Sequence, residues 1–483
     1  AVVDLDPKDS VNLAALERIY RQDERYDDLV EILRKRVKLT ETPEEATALL
    51  YEVASIHEAK LGDPGGAIQA YREVLEHQPE DLNALRMLDQ LCVKQGRMKD
   101  LADLFLLSPE VVVLNHGSFG ATPKPVFEVY QAWQRRLERQ PVQFMQDLKE
   151  FLGEARQELG TFIHAHADDI VFVPNATFGL NVVARSLELG PGEEVLATNH
   201  EYGACRNVWE FVSRERGFQY IRQPIPLPFA RPEEIVEQFW EGVSPATRAI
   251  FISHITSPTA VRFPVEQIVA RAREAGILTV VDGAHTLGQI PLDMRVIDAD
   301  FYLSNGHKWL CSPKGSAFLY TRRERQPLIE PLVVSWGWGP EKNYYSGSDY
   351  LDNLQWLGTN DLSAYLAVPA AIEFQQQHDW EAVRRFCHEL LLEAVTRICH
   401  LTGLDMVYPD SGSFEQMAIA PLPQIKDLDA MKKELLNTFH VEVPLIEWNG
   451  RHFIRVSVQG YNSREDIDAL LNALASLLPR HAA

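Results

Sequence analysis

The sequence predicts an α/β fold with a mostly parallel β-sheet, preceded by an all-α region of helical repeats. Residues 1–106 place apolar side chains at helical spacing, in a pattern that recurs along the segment. Across residues 107–360, short apolar β-branched runs alternate with helix-like segments, which is typical of a sheet covered by helices on both faces. Residues 361–483 continue the alternation as a smaller C-terminal domain. We therefore predict three domains with these boundaries.

The composition narrows the class of protein. The chain has 483 residues, of which 46% are hydrophobic and 24% charged, as is typical of a globular protein. Its net charge of −22 argues against nucleic-acid binding through bulk electrostatics. No apolar run reaches the roughly 20 residues of a membrane helix, and the first residues lack the pattern of a signal peptide. We expect neither a nucleic-acid nor a membrane partner.

The cysteines are scattered and form no C-x-x-C pair. The five are Cys92, Cys205, Cys311, Cys387 and Cys399. This usage is typical of a reducing compartment and argues against a disulfide framework or a zinc site. The sequence therefore predicts a cytoplasmic protein without a metal site.

The first 106 residues contain an internal repeat. A shift of 72 positions places Leu13 on Leu85 and Leu16 on Leu88, and an intermediate copy ends near Tyr71. The unit is therefore about half of that shift, close to the ~34-residue period of tetratricopeptide repeats, which this region resembles. Stacked helical hairpins leave an elongated surface. That surface would either dock a partner protein or peptide, or serve as a spacer or dimer-supporting arm.

The second region begins after Ser108-Pro109, because the residue before a proline disfavours helix. Val111–Leu114 then reads as a short strand, followed by the loop Asn115–Pro123, and residues 125–162 read as two helices.

A candidate anion site follows the next strand. Ile170–Val173 is a short apolar run, and a turn of small residues leads from it into helix Leu180–Leu187. Free amides and the helix dipole at such a turn attract an anion. We expect the Ala176 and Thr177 amides and the Thr177 hydroxyl to bind it. The alternative is a helix capped by threonine with no ligand.

Three later strands end in polar or aromatic residues. Glu194–Thr198 precedes Tyr202, Ala249–Ser253 precedes Ser257, and a third apolar run begins at Leu278. Because ligands of open α/β sheets bind at the carboxyl ends of the strands, we expect the site at that edge.

The stretch 280–315 carries the chemistry. Asp282 ends the third run, and Lys308 follows 26 residues later within Ser-Asn-Gly-His-Lys-Trp. This arrangement suits pyridoxal phosphate (PLP): the lysine holds the cofactor aldehyde as a Schiff base, and the acid pairs with the pyridine nitrogen. A nucleophilic lysine needs a lowered pKa, which burial near cationic groups provides. The alternative is a buried structural aspartate beside a surface lysine.

Several strings resemble a known family. VDGAHTLGQ, SNGHKWLCSPKG, LNHGSFGATP and HEYGA are similar to motifs of the class V aminotransferase family of fold-type I PLP enzymes, especially its isopenicillin N epimerase-like branch. The resemblance implies a PLP-binding large domain, a small α+β C-terminal domain and a homodimer.

The resemblance also implies cofactor contacts. These are Ala176, Thr177, Tyr202, Ser257, Asp282, His285, Asn305, His307, Lys308 and Thr359. Among them, Tyr202 would stack on the ring, a contact of about 1 kcal/mol, unless it is a core tyrosine. His285 would reach the phenolic oxygen. Thr359 would reach the phosphate of the neighbouring subunit, so the active site would need a dimer.

Four further residues are candidates for substrate binding. Arg455 matches the arginine that binds the substrate carboxylate, for which a guanidinium fork is suited; a surface strand arginine is the alternative. Asn115 and Gly117 lie in the opening loop, where ordinary turn chemistry is equally expected. Trp338 belongs to a Gly-spaced aromatic loop suited to lining a pocket.

We predict a PLP enzyme acting at Cα of an amino acid, with Lys308, Asp282 and His285 as catalytic residues and Lys308 as the base. Residues 405–454 contain no cysteine, which argues against a persulfide-relay cysteine desulfurase. Epimerisation, β-elimination from cysteine-type substrates and transamination stay open, with a desulfurase-like or cystine lyase-like enzyme as an alternative. A further alternative is a helical-repeat scaffold that recruits a peptide or carrier protein to the PLP domain.

Overall fold

The computed structural model describes residues 10–23, 25–40, 42–61, 63–78, 81, 84, 87 and 101–483. It divides into two units, Ala1–Leu101 and Ala102–Ala483. The domain boundaries expected at residues 106 and 360 stay predictions. In the described part of the chain, no helix combines the length and apolarity needed to cross a membrane.

The first unit is helical. Its helices span Ser10–Gln22, Tyr26–Leu39, Pro43–Ile56 and Pro64–His77, with a π-helical turn at His57–Leu61. Consecutive helices pack against each other and bury one apolar face of each, including Leu29, Leu33, Leu50, Val53 and Val74. The prediction of an all-α N-terminal region is confirmed. Leu85 and Leu88, the later members of the two repeat pairs, lie outside the described residues.

The second unit is built on a seven-stranded sheet. Its strands are β2 (Ile170–Val173), β3 (Glu194–Thr198), β4 (Gln219–Gln223), β5 (Thr247–Ser253), β6 (Leu278–Asp282), β7 (Phe301–Asn305) and β8 (Ala317–Thr321). They lie in the order β2-β8-β7-β6-β5-β3-β4. Only β8 runs antiparallel to its neighbours within this sheet. The mostly parallel sheet predicted from the sequence is confirmed.

The central strands gather polar residues at one edge. Their apolar residues are buried on both faces, as expected for parallel strands covered by helices. Strands β5, β6 and β7 are neighbours and end in Ser253, Asp282 and Asn305. Ser253 pairs directly with Asp282 in the ladder. The carboxyl edge of the sheet therefore collects these side chains.

Helices surround this sheet and continue to the C-terminus. They span His116–Phe119, Lys124–Arg139, Pro141–Ile163, Ala176–Ser186, Gly203–Arg216, Pro232–Trp240, Val265–Glu274, Met294–Ile297, Asp349–Gln355, Ser363–Leu366, Val368–Gln377, Trp380–Thr402, Leu428–Phe439 and Arg464–His481. Short 3₁₀ helices lie at Ala167–Asp169, Arg323–Leu328 and Ser411–Ser413.

A second, antiparallel sheet carries the C-terminal strands. It contains β9 (Met417–Leu422), β11 (Leu445–Trp448) and β12 (Arg451–Ser457), with β12 in the middle. A separate two-stranded ladder joins β1 (Val112–Val113) to β10 (Val441–Glu442). This ladder brings the loop that begins at residue 115 close to the second sheet.

That loop passes within contact distance of the chain around Lys308. Gly120 has a positive φ of 69°, and a Cβ atom there would lie 1.9 Å from the His307 carbonyl oxygen. Only glycine combines this left-handed backbone with so close an approach. Gly120 therefore fixes the distance between the loop and the lysine.

We predict that Gly120→Ala lowers the free energy of unfolding by about 2–4 kcal/mol, through backbone strain and overpacking. Urea denaturation of the full chain measures the effect. Gly190→Ala is the matched control, because a Cβ there meets no atom within 4 Å. Equal midpoints for the two variants would contradict this account of the loop.

Candidate active site

A cavity of about 540 Å³ opens at the carboxyl edge of the seven-stranded sheet. It brings together most of the residues predicted to contact a cofactor. These are Ala176, Thr177, Tyr202, Ser257, Asp282, His285, Asn305, His307 and Lys308. They come from the ends of five strands and the loops that follow them.

Asp282 lies at the end of β6 and is 3% exposed. One carboxylate oxygen, Oδ1, accepts a hydrogen bond from the Ala284 amide at 2.9 Å. The other, Oδ2, accepts one from the Cys205 thiol at 3.4 Å. Burial raises the pKa of Asp282, while the Ala284 amide and the nearby Lys308 charge oppose that shift. The cavity thus holds a carboxylate stabilised by two neutral donors and one cation.

Lys308 follows the end of β7, and its Nζ lies 3.1 Å from His285 Nε2. Burial and the positive charge of Arg455 lower the pKa of Lys308 to about 8, against the opposing charge of Asp282. Roughly a tenth of the amine is then unprotonated at pH 7, far more than for an ordinary lysine. This is the electrostatic setting that a nucleophilic lysine requires.

The ring of His285 is buried beside Lys308. Its Nδ1 accepts a hydrogen bond from the Trp309 indole at 3.3 Å. Burial, together with the charges of Lys308 and Arg455, lowers the pKa of His285 well below its usual value, so the ring is neutral. His307 is also neutral, because burial and Lys308 lower its pKa to about 4.

The N-terminus of helix Ala176–Ser186 borders the cavity, but not all its amides are free. Asn305 Oδ1 accepts from the Ala176 amide at 2.9 Å, and the Asn175 side chain caps the Phe178 amide at 2.8 Å. The Ala176 amide therefore has a partner within the chain, and its expected role in binding an anion stays a prediction. The amide and hydroxyl of Thr177 remain as donors for an anion at this turn.

Arg455 on β12 is buried behind the cavity wall, with 6% exposure. Its guanidinium donates to the Ser257 carbonyl at 2.5 Å and to the Ser118 hydroxyl at 3.1 Å, both neutral acceptors. Its Nε has no partner, and no carboxylate pairs with it, within the part of the chain that the structure describes. Burial lowers the pKa of Arg455 to about 10. A buried cation with neutral partners only is suited to an anionic ligand.

Besides Arg455, which lies behind the cavity wall, four candidates do not line the cavity. The Asn115 amide donates to Glu442 at 2.9 Å, and Gly117 packs against Met417 of the second sheet. Trp338 is 58% exposed on a loop, and Thr359 is also exposed. The structure does not bring these four residues to the cavity of their own chain, and their assigned roles stay predictions.

Sequence reasoning missed several residues at the site. Cys205 contacts Asp282, and Ser118 binds Arg455. The buried His116 ring bonds the Lys308 carbonyl through Nε2 at 3.0 Å and the Tyr461 hydroxyl through Nδ1 at 3.1 Å. The signal was present for His116 and Ser118, which belong to the same motif as Asn115 and Gly117. For Cys205 the only signal was its place shortly after the end of β3.

The side chains present fit PLP: an amine of lowered pKa, a buried carboxylate and the N-terminus of a helix share one cavity. Solved structures share this fold. The cystine C-S lyase C-DES in complex with cysteine persulfide matches with a TM-score of 0.68 at 20% identity, over 78% of this chain and 99% of its own. The cysteine desulfurase CsdA from Escherichia coli matches with a TM-score of 0.67 at 20% identity, over 80% of this chain and 99% of its own. The fold and the cavity define a fold-type I PLP-dependent enzyme.

Residues 122–470 match the model of the family described as aminotransferase class-V, to which this chain belongs. Isopenicillin N epimerase from Amycolatopsis lactamdurans is 34% identical over 77% of this chain and 96% of its own length. The putative L-cysteine desulfhydrase 1 of Oryza sativa subsp. japonica is 31% identical over 76% of this chain and 83% of its own length. Residues 13–47 match a tetratricopeptide repeat model. The chain is a PLP enzyme acting at Cα of an amino acid, as predicted.

We predict that the two charged neighbours of Lys308 move its pKa in opposite directions. Arg455→Gln removes a positive charge and raises the pKa above about 8, whereas Asp282→Asn removes a negative charge and lowers it. The measurement is the pH midpoint of Lys308 labelling by an amine reagent, read by mass spectrometry on full-chain protein freed of cofactor. Arg451→Ala, at an exposed residue of the same strand as Arg455, is the control. Shifts of the same sign would contradict the assignment.

Proposed function

We propose that this chain catalyses β-elimination from a cysteine-type L-amino acid, with PLP held by Lys308. The observation that carries the proposal is the position of the Lys308 amine, which lies in one cavity with Asp282 and 3.1 Å from His285 Nε2. Burial there lowers the pKa of Lys308, so that the amine can act as a base near neutral pH. When bound, PLP supplies an electron-withdrawing ring that stabilises negative charge at Cα.

The protein side chains have separate tasks in this scheme. Arg455 binds the substrate carboxylate through its guanidinium fork and thereby orients the Cα–H bond. Lys308 removes the Cα proton at Nζ. Asp282 would pair with the pyridine nitrogen of the cofactor, and Thr177 would bind its phosphate at the helix N-terminus. Tyr202, at 47% exposure, forms part of the cavity wall and would contribute an aromatic face for the cofactor ring.

Among the described residues that line the cavity, a shortage of proton donors other than Lys308 favours elimination over epimerisation. Burial keeps the pKa values of His285 and His307 too low for them to donate a proton near neutrality. Burial also makes the Cys205 thiol a weak acid by raising its pKa well above the usual value, and the thiol already donates its hydrogen bond to Asp282. Elimination needs one base, Lys308, which can return its proton to the leaving sulfur. The desulfhydrase relative from rice supports the same reaction type.

Epimerisation is the second candidate. It needs a proton donor on the face of Cα opposite Lys308, and Tyr202 contributes a hydroxyl-bearing ring to the cavity. The identity to the Amycolatopsis epimerase supports this candidate. The chain does not carry a cysteine in residues 405–454, which counts against a persulfide-relay desulfurase as a third.

We predict that L-cysteine or an S-substituted derivative yields pyruvate, ammonia and a sulfur product in equal amounts. Turnover in D₂O, followed by NMR and chiral chromatography, separates the alternatives. Solvent deuterium at Cα with accumulation of the D-isomer would indicate epimerisation, and a keto acid that retains the side chain would indicate transamination. Either result without sulfur release would refute elimination.

We predict that Arg455→Ala raises KM for carboxylate-bearing substrates about 10- to 100-fold, because hydrogen bonds to a charged group contribute about 1.5–3 kcal/mol. Bound cofactor, read from its absorbance, should be nearly unchanged. Arg451→Ala again serves as the control. An unchanged KM for Arg455→Ala would show that another residue binds the substrate carboxylate.

We propose a cytoplasmic homodimer in which Thr359 and Trp338 reach the cavity of the second copy. Their exposure, and that of Val334 and Trp336, supports an apolar surface covered by another chain. We also propose that the helical unit recruits a protein or peptide partner, with a spacer arm as the alternative.

Removal of residues 1–100 tests the recruitment proposal. The deletion ends before Phe105, whose ring packs edge-on against Phe374 and Tyr461 within the second unit. If the helical unit delivers a tethered substrate, we expect kcat/KM for that substrate to fall at least tenfold, an advantage of the size that effective concentration provides. Turnover of free amino acids should be unchanged. If the truncated and full chains turn over both substrates at the same rates, recruitment is rejected.

A further inference from the structure

Three consecutive hydrogen-bonding groups line up at the site. The Trp309 indole Nε1 lies 3.3 Å from His285 Nδ1, and His285 Nε2 lies 3.1 Å from Lys308 Nζ. Trp309 is fully buried, and His285 is 2% exposed. Trp309 and His285 therefore meet away from solvent, and the far side of the imidazole faces the reactive amine.

The donor of the first bond is fixed by chemistry. An indole nitrogen can only donate a hydrogen bond, so His285 Nδ1 must accept. A neutral imidazole carries its single proton on the other nitrogen whenever one nitrogen acts as acceptor. The proton of His285 therefore lies on Nε2, the atom that faces Lys308. The opposite tautomer would direct two N–H groups at each other and leave the indole unpaired in the core.

We propose that Trp309 is a positioning residue that holds the His285 proton on Nε2, so that the imidazole acts as a fixed hydrogen-bond donor toward Lys308. The lone pair of a neutral amine accepts this bond, whereas an ammonium group has none to offer. The contact thus favours the unprotonated, reactive form of Lys308. Any other hydrogen-bond acceptor at the position of the Lys308 amine would face the same donor, the Nε2–H group of His285.

The indole is held in place from several sides. The Trp309 backbone carbonyl accepts a hydrogen bond from Gln375 Nε2 at 2.8 Å, and the centres of the His116 and Trp309 rings lie 5.0 Å apart. A Cβ atom on Gly288 would lie 2.5 Å from the Trp309 carbonyl oxygen, so the backbone there is closely packed. The indole is fully buried and packs against the His116 ring, which keeps its nitrogen toward His285.

The surrounding charges support a neutral ring. Lys308, Arg455 and His307 all disfavour a second proton on His285. The groups that act on Lys308 in turn are Arg455, Asp282 and Cys205. None of these accepts or donates at His285 Nδ1, for which the structure gives one partner among the described residues, the indole.

The direct test is the tautomer of His285, measured by ¹⁵N NMR on full-chain protein with labelled histidine rings. The signal is assigned by its loss in His285→Gln. We expect a protonated Nε2 and an unprotonated Nδ1 near neutral pH. A proton on Nδ1, or on both nitrogens, would overturn the proposal without any variant.

A second measurement removes the donor while keeping the ring. Incorporation of 3-benzothienylalanine at position 309 replaces the indole N–H by sulfur. We expect a mixed or reversed tautomer and a higher pH midpoint for Lys308 labelling in protein freed of cofactor. The labelling rate at pH 7 should fall roughly threefold, as a half-unit rise in pKa gives.

Trp309→Phe should reproduce the effect, with Trp380→Phe as the matched control. The Trp380 indole is also buried, at 4% exposure, but its Nε1 has no partner among the described residues. An unchanged midpoint in the benzothienyl protein, or an equal shift in Trp380→Phe, would refute the role of the Trp309 donor.

The inference rests on the proposed function only for the task of Lys308, and the two can fail separately. Reduction of the holoenzyme with borohydride should fix the cofactor on Lys308. A label on another residue would refute the proposed function and leave the measured tautomer standing. A label on Lys308, together with a proton on Nδ1 of His285, would refute the inference and leave the proposed function standing.

Discussion

Burial of the Lys308 amine beside one carboxylate and one guanidinium is the constraint on which the rest of this site depends. In a cavity of low polarity, each charge acts strongly on its neighbours. Arg455 lowers the pKa of Lys308, Asp282 raises it, and burial decides the outcome at about 8. The same proximity partly offsets the cost of burying Asp282. The reactivity of the Lys308 amine thus depends on all three residues together, because the charges of Arg455 and Asp282 both change its pKa.

Two sheets are needed to assemble that group. Asp282 ends β6, and Lys308 follows shortly after the end of the adjacent β7, so the parallel sheet brings these two residues together. Arg455 comes from β12 of the antiparallel sheet and reaches the first sheet through the Ser257 carbonyl. The loop at Ser118 joins the same guanidinium from a third direction. The group of Lys308, Asp282 and Arg455 therefore forms only when the C-terminal strands pack onto the first sheet.

Neutral groups supply most of the positioning. His116 bonds the Lys308 carbonyl, and burial lowers its pKa to about 3, so the bond adds no charge beside the amine. Asn305 joins the end of β7 to the start of helix Ala176–Ser186. A frame of neutral hydrogen bonds fixes the geometry and leaves the few charges free to interact with a ligand.

The sequence alone determined the central strands and the spacing from Asp282 to Lys308, because buried parallel strands appear as contiguous apolar runs and motif residues follow their ends. It did not indicate β4, an edge strand whose side chains are mostly polar. Only the tertiary structure decided that Asn305 occupies the Ala176 amide and that Cys205 bonds Asp282. Those contacts join positions far apart in the chain, and local patterns carry no information on which distant side chain will fill a given hydrogen bond.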